Sequence, residues 1–326
     1  MHFKLFFASF FFFVSIQYNV LSQTAKGVKQ FGNEKGIVYD FCFSKNGTVI
    51  FIPEENSINV YNTETQKLIK SFSGGHSRSI LSIDISPDST LMVTGGKDSL
   101  ITVWDLNTNQ IIKKLDYHKG VVTDLKFSPT KDIIASCSSD NTVMLYDLSC
   151  DTAIFCFKEH LADVIAIDFN SDGTVLASAG EDKIIIFSST ISGEIINTIT
   201  EHKGIIRDIG FNKDGSRFIS CDDDSKIFLW KTDNLKKITK LNENKTGVKW
   251  ILSAKLSESG SYYACGGIKG KIIIKTNFEQ NTINVKKIIY KIDFIPMTGN
   301  IIKVAVATLG RGVLMIDTSI ISNDKI

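Results

Sequence analysis

The histidines of this chain recur at a fixed interval: His76, His118, His160 and His202 each stand 42 residues apart. Asp98, Asp140, Asp182 and Asp224 keep the same 42-residue step, and so do Ile85, Phe127, Phe169 and Phe211, with Phe43 one step earlier. Three registers locked to one period mean that one structural unit is copied along the chain. A period of about 20–50 residues restricts the fold to solenoids, propellers or arrays, because each copy buries its apolar face only against its neighbours.

The second unit shows what is copied. Ile80 to Ile85 is β-branched and apolar, and Ser86-Pro87-Asp88-Ser89 is a turn. Leu91 to Thr94 leads into Gly95-Gly96, then come Ile101 to Trp104 and Ile111 to Leu115. Strand-sized segments separated by turns, without a helical period, describe one blade of a β-propeller. Turn residues recur in one slot as Asn46-Gly47, Pro129-Thr130, Asp172-Gly173, Asp214-Gly215 and Ser259-Gly260, where glycine or proline suits a tight strand connection.

On these residues the chain resembles the WD-repeat family, whose units open near Gly-His and close on Trp-Asp. Gly75-His76 and Trp104-Asp105 match both signatures, Tyr146-Asp147 is a close variant, and Trp230-Lys231 keeps only the aromatic. The resemblance runs from about residue 24 to 317 and is strongest in units two to five. Unit one carries Tyr61-Asn62 in the closing slot, unit six carries Gly266-Gly267 at the loop that holds Gly95-Gly96 in unit two, and unit seven has Ile316-Asp317 in the closing slot without a clear fourth strand of its own. Val28-Lys29-Gln30-Phe31 aligns with Ile112 to Leu115, so the N-terminal strand is expected to complete the last blade. The fold expected is therefore all-β: a seven-bladed propeller of four-stranded antiparallel blades over residues 23–326, closed by its N-terminal strand.

Units two to five repeat a polar set that looks catalytic. It comprises His76, Thr94, Asp98 and Trp104; His118, Ser136, Asp140 and Tyr146; His160, Ser178 and Asp182; and His202, Ser220, Asp224 and Trp230. Ser188 takes the aromatic slot of unit four. Ser, His and Asp together suggest a hydrolase, but an active site is not needed several times over. The resemblance implies a buried network in which Asp accepts from His, His engages the hydroxyl, and the hydroxyl meets the Trp N–H. No catalytic residue is assigned. Every histidine except His2 falls in the repeat, leaving none for general-base work. Asp84 and Asp168 remain as channel residues for an enzyme or small-ligand reading of the central funnel.

The N-terminus has the pattern of a signal peptide over residues 1–22. Lys4 precedes an apolar run, Leu5 to Val14, containing Phe6, Phe7, Phe10, Phe11, Phe12 and Phe13, and Val20-Leu21-Ser22 offers a cleavage point. The run is short for a span of about 20 residues, so an exported chain without a membrane span is expected. Six cysteines fit such a chain: Cys42, Cys137, Cys150, Cys156, Cys221 and Cys265. Cys137 and Cys221 share a strand slot and read as core residues, while Cys150 and Cys156 are the one plausible local pair. No paired Cys-x-x-Cys exists for zinc, and the acidic run Asp222-Asp223-Asp224 reads as a solvated loop before it reads as a calcium site. Neither metal nor cofactor is expected. Gly310-Arg311-Gly312 lacks the strand-then-helix context of a phosphate cradle.

A net charge of +2 advertises no nucleic-acid partner. Function is expected on loops around the propeller's mouth, where Tyr39, Arg78, Lys119, Lys203, Arg207, Trp250 and Arg311 fall near one rim. The expected role is a monomeric, non-catalytic platform for a protein or peptide, with a structural part in a larger envelope or secretory assembly as another reading.

Overall fold

The computed structural model describes residues 27–33, 35–148, 153–248, 250–276, 280–296 and 302–318. The leader expected over residues 1–22, and Cys150 with its proposed pairing, lie outside the described residues.

The strands alternate apolar and polar residues where one face is wet and run apolar where both faces are covered, and the blades show that gradient directly. In blade two, β6 (Ile80–Ile85) lines the channel, β7 (Leu91–Gly96) is buried almost throughout, β8 (Ile101–Asp105) is buried up to its last residue, and β9 (Ile111–Leu115) is exposed except at half-buried Lys113 and buried Leu115. Radial packing explains the order, since middle strands are sandwiched between neighbouring blades and the outermost strand faces water. The remaining blades are β2–β5 (Cys42–Phe43, Val49–Glu54, Ser57–Asn62, Leu68–Phe72) and β10–β13 (Val122–Phe127, Ile133–Ser138, Val143–Asp147, Ala153–Phe157). Then come β14–β17 (Val164–Phe169, Val175–Gly180, Ile185–Ser189, Ile195–Ile199) and β18–β21 (Ile206–Phe211, Arg217–Asp222, Lys226–Lys231, Thr239–Lys245). Blade six is β22–β25 (Ile251–Leu256, Tyr263–Gly267, Lys271–Lys275, Gln280–Asn284).

Blade seven is β26–β28 (Ile289–Phe294, Lys303–Thr308, Gly312–Asp317) completed by β1 (Val28–Phe31), which pairs Val28 with Ile316 and Phe31 with Val313. The expected seven four-stranded antiparallel sheets and N-terminal closure are thus present. Gly312 makes the closure possible: its φ is +63°, and a Cβ there would fall 1.9 Å from the Phe31 carbonyl oxygen.

The core is divided into seams. Phe51, Val60 and Phe72 of blade one meet Ile80, Ile83 and Trp104 of blade two. Phe31, Ala305 and Val313 of blade seven meet Phe41, Ile50 and Ile52 of blade one, so the closing seam is as apolar as the rest. At about 25 cal/mol per Å² these seams, not the polar groups, supply most of the driving force for ring closure.

Two connections meet at one end of every blade. Because the four strands run antiparallel, the link from an outer strand to the next inner strand lies at the same end as the turn between the two middle strands. This end is the mouth face.

Candidate functional site

In each of blades two to five a buried histidine stands between a carboxylate and a hydroxyl. His76 Nδ1 lies 3.0 Å from Asp98 Oδ1 and its Nε2 lies 2.9 Å from Thr94 Oγ1, which accepts from Trp104 Nε1 at 2.9 Å. Nδ1 faces a carboxylate and so donates to Asp98, while Nε2 shares a hydrogen bond with the Thr94 hydroxyl. Gly75 precedes His76 because Trp104 lies over it: a Cβ would fall 2.2 Å from the indole. His118 repeats the geometry with Asp140 at 3.0 Å and Ser136 at 2.7 Å, and Tyr146 replaces the indole, its hydroxyl 3.0 Å from Met144 Sδ. His160 meets Asp182 at 2.7 Å and Ser178 at 2.8 Å, with buried Ser188 where an aromatic ring would sit.

Blade five corrects the sequence reading. His202 pairs with Asp222, not Asp224, at 2.7 Å, while Ser220 accepts from Trp230 at 2.9 Å and lies 2.7 Å from His202 Nε2. The slot of Asp222 holds Gly96 in blade two, where a Cβ would stand 3.0 Å from His76 Nδ1. An aspartate in that slot reaches the imidazole from closer in, and Asp224 is left exposed. Asp223 instead accepts the Ile205 N–H at 2.8 Å and pairs with Arg207 at 3.3 Å. The three carboxylates of this run thus face three different ways, and among the described residues no three His, Cys, Asp or Glu side chains converge as metal ligands.

Inside the ring the inner strands build three tiers. The first sits at the mouth. Inner strands of blades two to seven carry a register shift after their first residue, for example between Ile80 and Ser82 and between Ile206 and Asp208. A bulge re-aims the extra side chain, and here it turns Leu81, Thr123, Ile165, Arg207, Leu252 and Tyr290 to a 420 Å³ mouth cavity that Tyr39 completes. Tyr39 and Tyr290 meet edge to face at 5.2 Å, and Lys97 Nζ donates to the Tyr39 hydroxyl at 3.1 Å. Among the described residues Arg207 Nε is buried without a hydrogen-bond partner.

The second tier staples blade to blade. Asp40 accepts the Ile83 N–H, Ser82 the Leu125 N–H, Asp124 the Ile167 N–H, Asp208 the Ala254 N–H and Ser253 the Ile292 N–H, all at 3.1–3.2 Å. Where the slot holds Ala166 or Lys291 and offers no acceptor, the next N–H turns to its own aspartate: Ile209 to Asp208 at 3.0 Å and Phe41 to Asp40 at 2.9 Å. Burial would raise the Asp124 carboxyl, but Lys126 and Lys291 beside it, with its hydrogen bonds, hold it below the usual carboxylate value.

The third tier borders a 690 Å³ funnel at the opposite end, with Asp84, Lys126, Asp168, Lys255 and Asp293 in its wall. Burial pushes Asp84 and Asp168 above the usual carboxylate value. Each still accepts a backbone N–H, Asp84 from Phe127 at 2.8 Å and Asp168 from Phe211 at 2.7 Å.

Of the seven rim residues expected from sequence, the structure brings only Tyr39 and Arg207 into the mouth cavity. Arg78, Lys119 and Lys203 are exposed further out, and Arg311 is half-buried in the turn before β28. Trp250 lies at the head of β22, 51% exposed, with a left-handed φ of 48°. Sequence reasoning missed Leu81, Thr123, Ile165, Leu252 and Tyr290, although Tyr39, Leu81, Thr123, Ile165 and Arg207 keep the 42-residue step.

A family described as the nucleolar protein 10-like N-terminal domain, a β-propeller, matches residues 34–232. The chain belongs to that family. Shorter stretches resemble other WD-repeat proteins. They include COMPASS component SWD3 of Saccharomyces cerevisiae, 31% identical over 84 residues, 25% of this chain and 26% of the relative. The U5 small nuclear ribonucleoprotein 40 kDa protein of Dictyostelium discoideum is 31% identical over 96 residues, 29% of this chain and 27% of the relative. The ribosome biogenesis protein BOP1 homolog of the same organism is 37% identical over 81 residues, 24% of this chain and 10% of the relative. The stretches matched span about a quarter or less of those relatives.

These names correct one expectation. An exported location was expected from residues 1–22, but the nucleolar protein 10-like family and a small nuclear ribonucleoprotein relative point away from it. A run of phenylalanines reports hydrophobicity and not an address.

Proposed function

We propose that this nucleolar protein 10-like propeller is a non-catalytic platform that takes a protein or peptide segment at its mouth. The observation carrying this reading is the division of polar groups. The four described histidines are committed to networks and are 2–5% exposed, so they are closed to substrate. The mouth is instead ringed by bulge residues of mixed apolar, aromatic and basic character: Tyr39, Tyr290, Leu81, Leu252 and Arg207. Aromatic and arginine side chains around an apolar depression are what a partner's anchor residue requires. The relatives' names support the reading, because a COMPASS component and a small nuclear ribonucleoprotein protein are members of assemblies.

The test is quantitative capture of partners by the full chain against a Tyr39→Ala, Arg207→Ala double variant. Loss of at least tenfold of the captured partners, with the melting temperature held within a few degrees, is expected. Capture unchanged across all partners sinks the mouth as the binding site.

The opposite funnel favours a second reading as a small-ligand pocket. Among the described residues, no carboxylate lies within 4.0 Å of the Lys255 ammonium that borders it, although Asp293 and Asp168 act on it electrostatically. A Lys255→Met chain with unaltered binding of every small anion that stabilises the wild type would end that reading.

A further inference from the structure

The net charge of +2 conceals a segregation. Residues 226–287 hold thirteen lysines and four acidic residues, a surplus of nine, so the rest of the chain carries a net −7. This stretch contains no arginine.

The topology gathers part of that surplus at the mouth face of blade six. Lys245 stands at the end of β21, Lys269 and Lys271 flank the turn between β23 and β24, and Lys286 and Lys287 follow β25. The last two loops touch: a Cβ on Gly270 would fall 2.4 Å from the Lys287 nitrogen, and the Gly270 carbonyl accepts the Val285 N–H at 2.8 Å. Lys245, Lys269, Lys271 and Lys286 are exposed and Lys287 is half-buried. Among the described residues no carboxylate comes within 4.0 Å of any of the five ammonium groups, whereas Lys226, Lys231 and Lys240 of the same stretch are ion-paired.

Trp250 stands among these loops. Its carbonyl oxygen accepts the Ile268 N–H at 3.3 Å, one residue before Lys269, and lies where a Cβ on Gly267 would collide at 2.1 Å. A bulky residue in the left-handed region is held against its preference by the surrounding structure. Half of this side chain is in water, so core burial does not account for the indole at this position. It is a half-exposed aromatic residue whose backbone is tied to the loop that carries Lys269.

We infer that this sector binds a single-stranded nucleic acid, with phosphates held by Lys245, Lys269, Lys271 and Lys286 and a base stacked on Trp250. Lysine is a point charge that meets backbone phosphates without reading sequence, and an exposed aromatic ring accepts any base. An acidic peptide fits less well. Carboxylates are matched best by the arginine fork, which this stretch lacks, and they leave the indole unused. The sector uses residues outside the mouth cavity, so it stands or falls separately from the protein-binding reading.

The experiment is fluorescence anisotropy of the full chain with labelled twelve-nucleotide oligouridine and oligothymidine, a duplex of equal length, and a glutamate-rich peptide, from 50 to 200 mM salt. Expected is binding of a single strand in preference to the duplex and the peptide, the RNA and DNA arms showing which backbone is preferred. Lys269→Gln, Lys271→Gln, Lys286→Gln together should weaken it at least tenfold and flatten the log–log salt slope by about 2, at about 0.7 per phosphate contact. Trp250→Ala should weaken it by about tenfold with the slope unchanged, and Trp250→Phe should restore most of the loss. A Lys45→Gln, Lys67→Gln, Lys131→Gln control, placed on turns at the opposite end, should bind as wild type. Absence of single-strand binding by wild type, equal loss in the control, or tighter binding of the peptide would overturn the proposal.

Discussion

Blades two to five and blades six, seven and one solve the same packing problem with different polar equipment. The first group ties its strands with a buried His–Asp–hydroxyl network, from His76 through His202. The second group has no such histidine among its described residues, and Gly266-Gly267 occupy the middle-strand end in blade six. Both groups nevertheless complete four-stranded sheets. Both share the apolar seams, and the inner staples reach into the second group from Asp208 to Ala254 and from Ser253 to Ile292, failing only where Ala166 and Lys291 hold the slot. The closing junction of blades seven and one therefore rests on its apolar seam and on the pairing of β1 with β28, the staples tie five of the seven junctions, and the histidine networks add rigidity within single blades. The half of the ring relieved of that network is where the mouth-face loops carry Trp250 and the unpaired lysines.

The comparison can be broken most sharply at Asp124. It accepts from Ser82 and Ile167, and Lys126 Nζ lies 3.2 Å from it. Asp124→Ala should cost about 3 kcal/mol, because it removes the ion-pair partner of the partly buried Lys126 and the acceptor of the buried Ile167 N–H together. Urea unfolding would show it, and a loss smaller than that of Asp98→Ala would mean that the networks, not the staples, hold the ring.

The blade-five exchange comes next. Asp222→Ala should cost about 2–3 kcal/mol by leaving the buried His202 without its acceptor, while Asp224→Ala should stay within about 0.5 kcal/mol. The reverse order in thermal melts would restore the 42-residue register as the structural one.

A smaller effect separates blades three and four. Asp140 accepts from the Thr142 hydroxyl at 2.6 Å and the Lys119 N–H at 2.7 Å, whereas Asp182 accepts from Leu161 and Ile184 at 3.2 Å each. Asp140→Ala should be the more destabilising by about 1 kcal/mol. Equal melting temperatures would show that the aromatic slot and its surrounding bonds add nothing.

The smallest effect is one of pH. Burial pushes His118 below its usual value of 6.5 despite Asp140 beside it. The unfolded chain therefore takes up the proton first, and stability present above about pH 6.5 is lost as pH falls from there toward the folded value. Burial would raise the Asp140 carboxyl, but its hydrogen bonds from Thr142, Lys119 and His118 hold it low. Its contribution is present above the unfolded carboxylate value and goes only as pH falls through the lower folded one. His118→Gln should therefore flatten the stability curve just below pH 6.5 and leave the loss below pH 4, as melts from pH 7 downward would record.

Much of the skeleton was legible along the chain. Val28–Phe31 could be placed as the closing strand because it repeats Ile112–Leu115 in pattern and in distance to a following Lys-Gly. The staple tier was not seen, though Asp40, Ser82, Asp124 and Asp208 fall on the same period. What its slots share is an acceptor atom at one height, and aspartate and serine supply it equally, so residue identity hides the rule. Asp222 escaped for the opposite reason: identity pointed to Asp224, and only the approach to His202 decided between neighbours.

The linear order of residues was enough to fix seven units, their strands and their apolar seams, because period and alternation are local properties that copy from unit to unit. Which carboxylate meets which imidazole, which side chain a bulge turns to the mouth, and where a surplus of lysine collects were decided in three dimensions. Those outcomes depend on distances between loops that antiparallel strands carry to a common end; the 42-residue step marks the mouth positions of units one to five but does not say which way a side chain points.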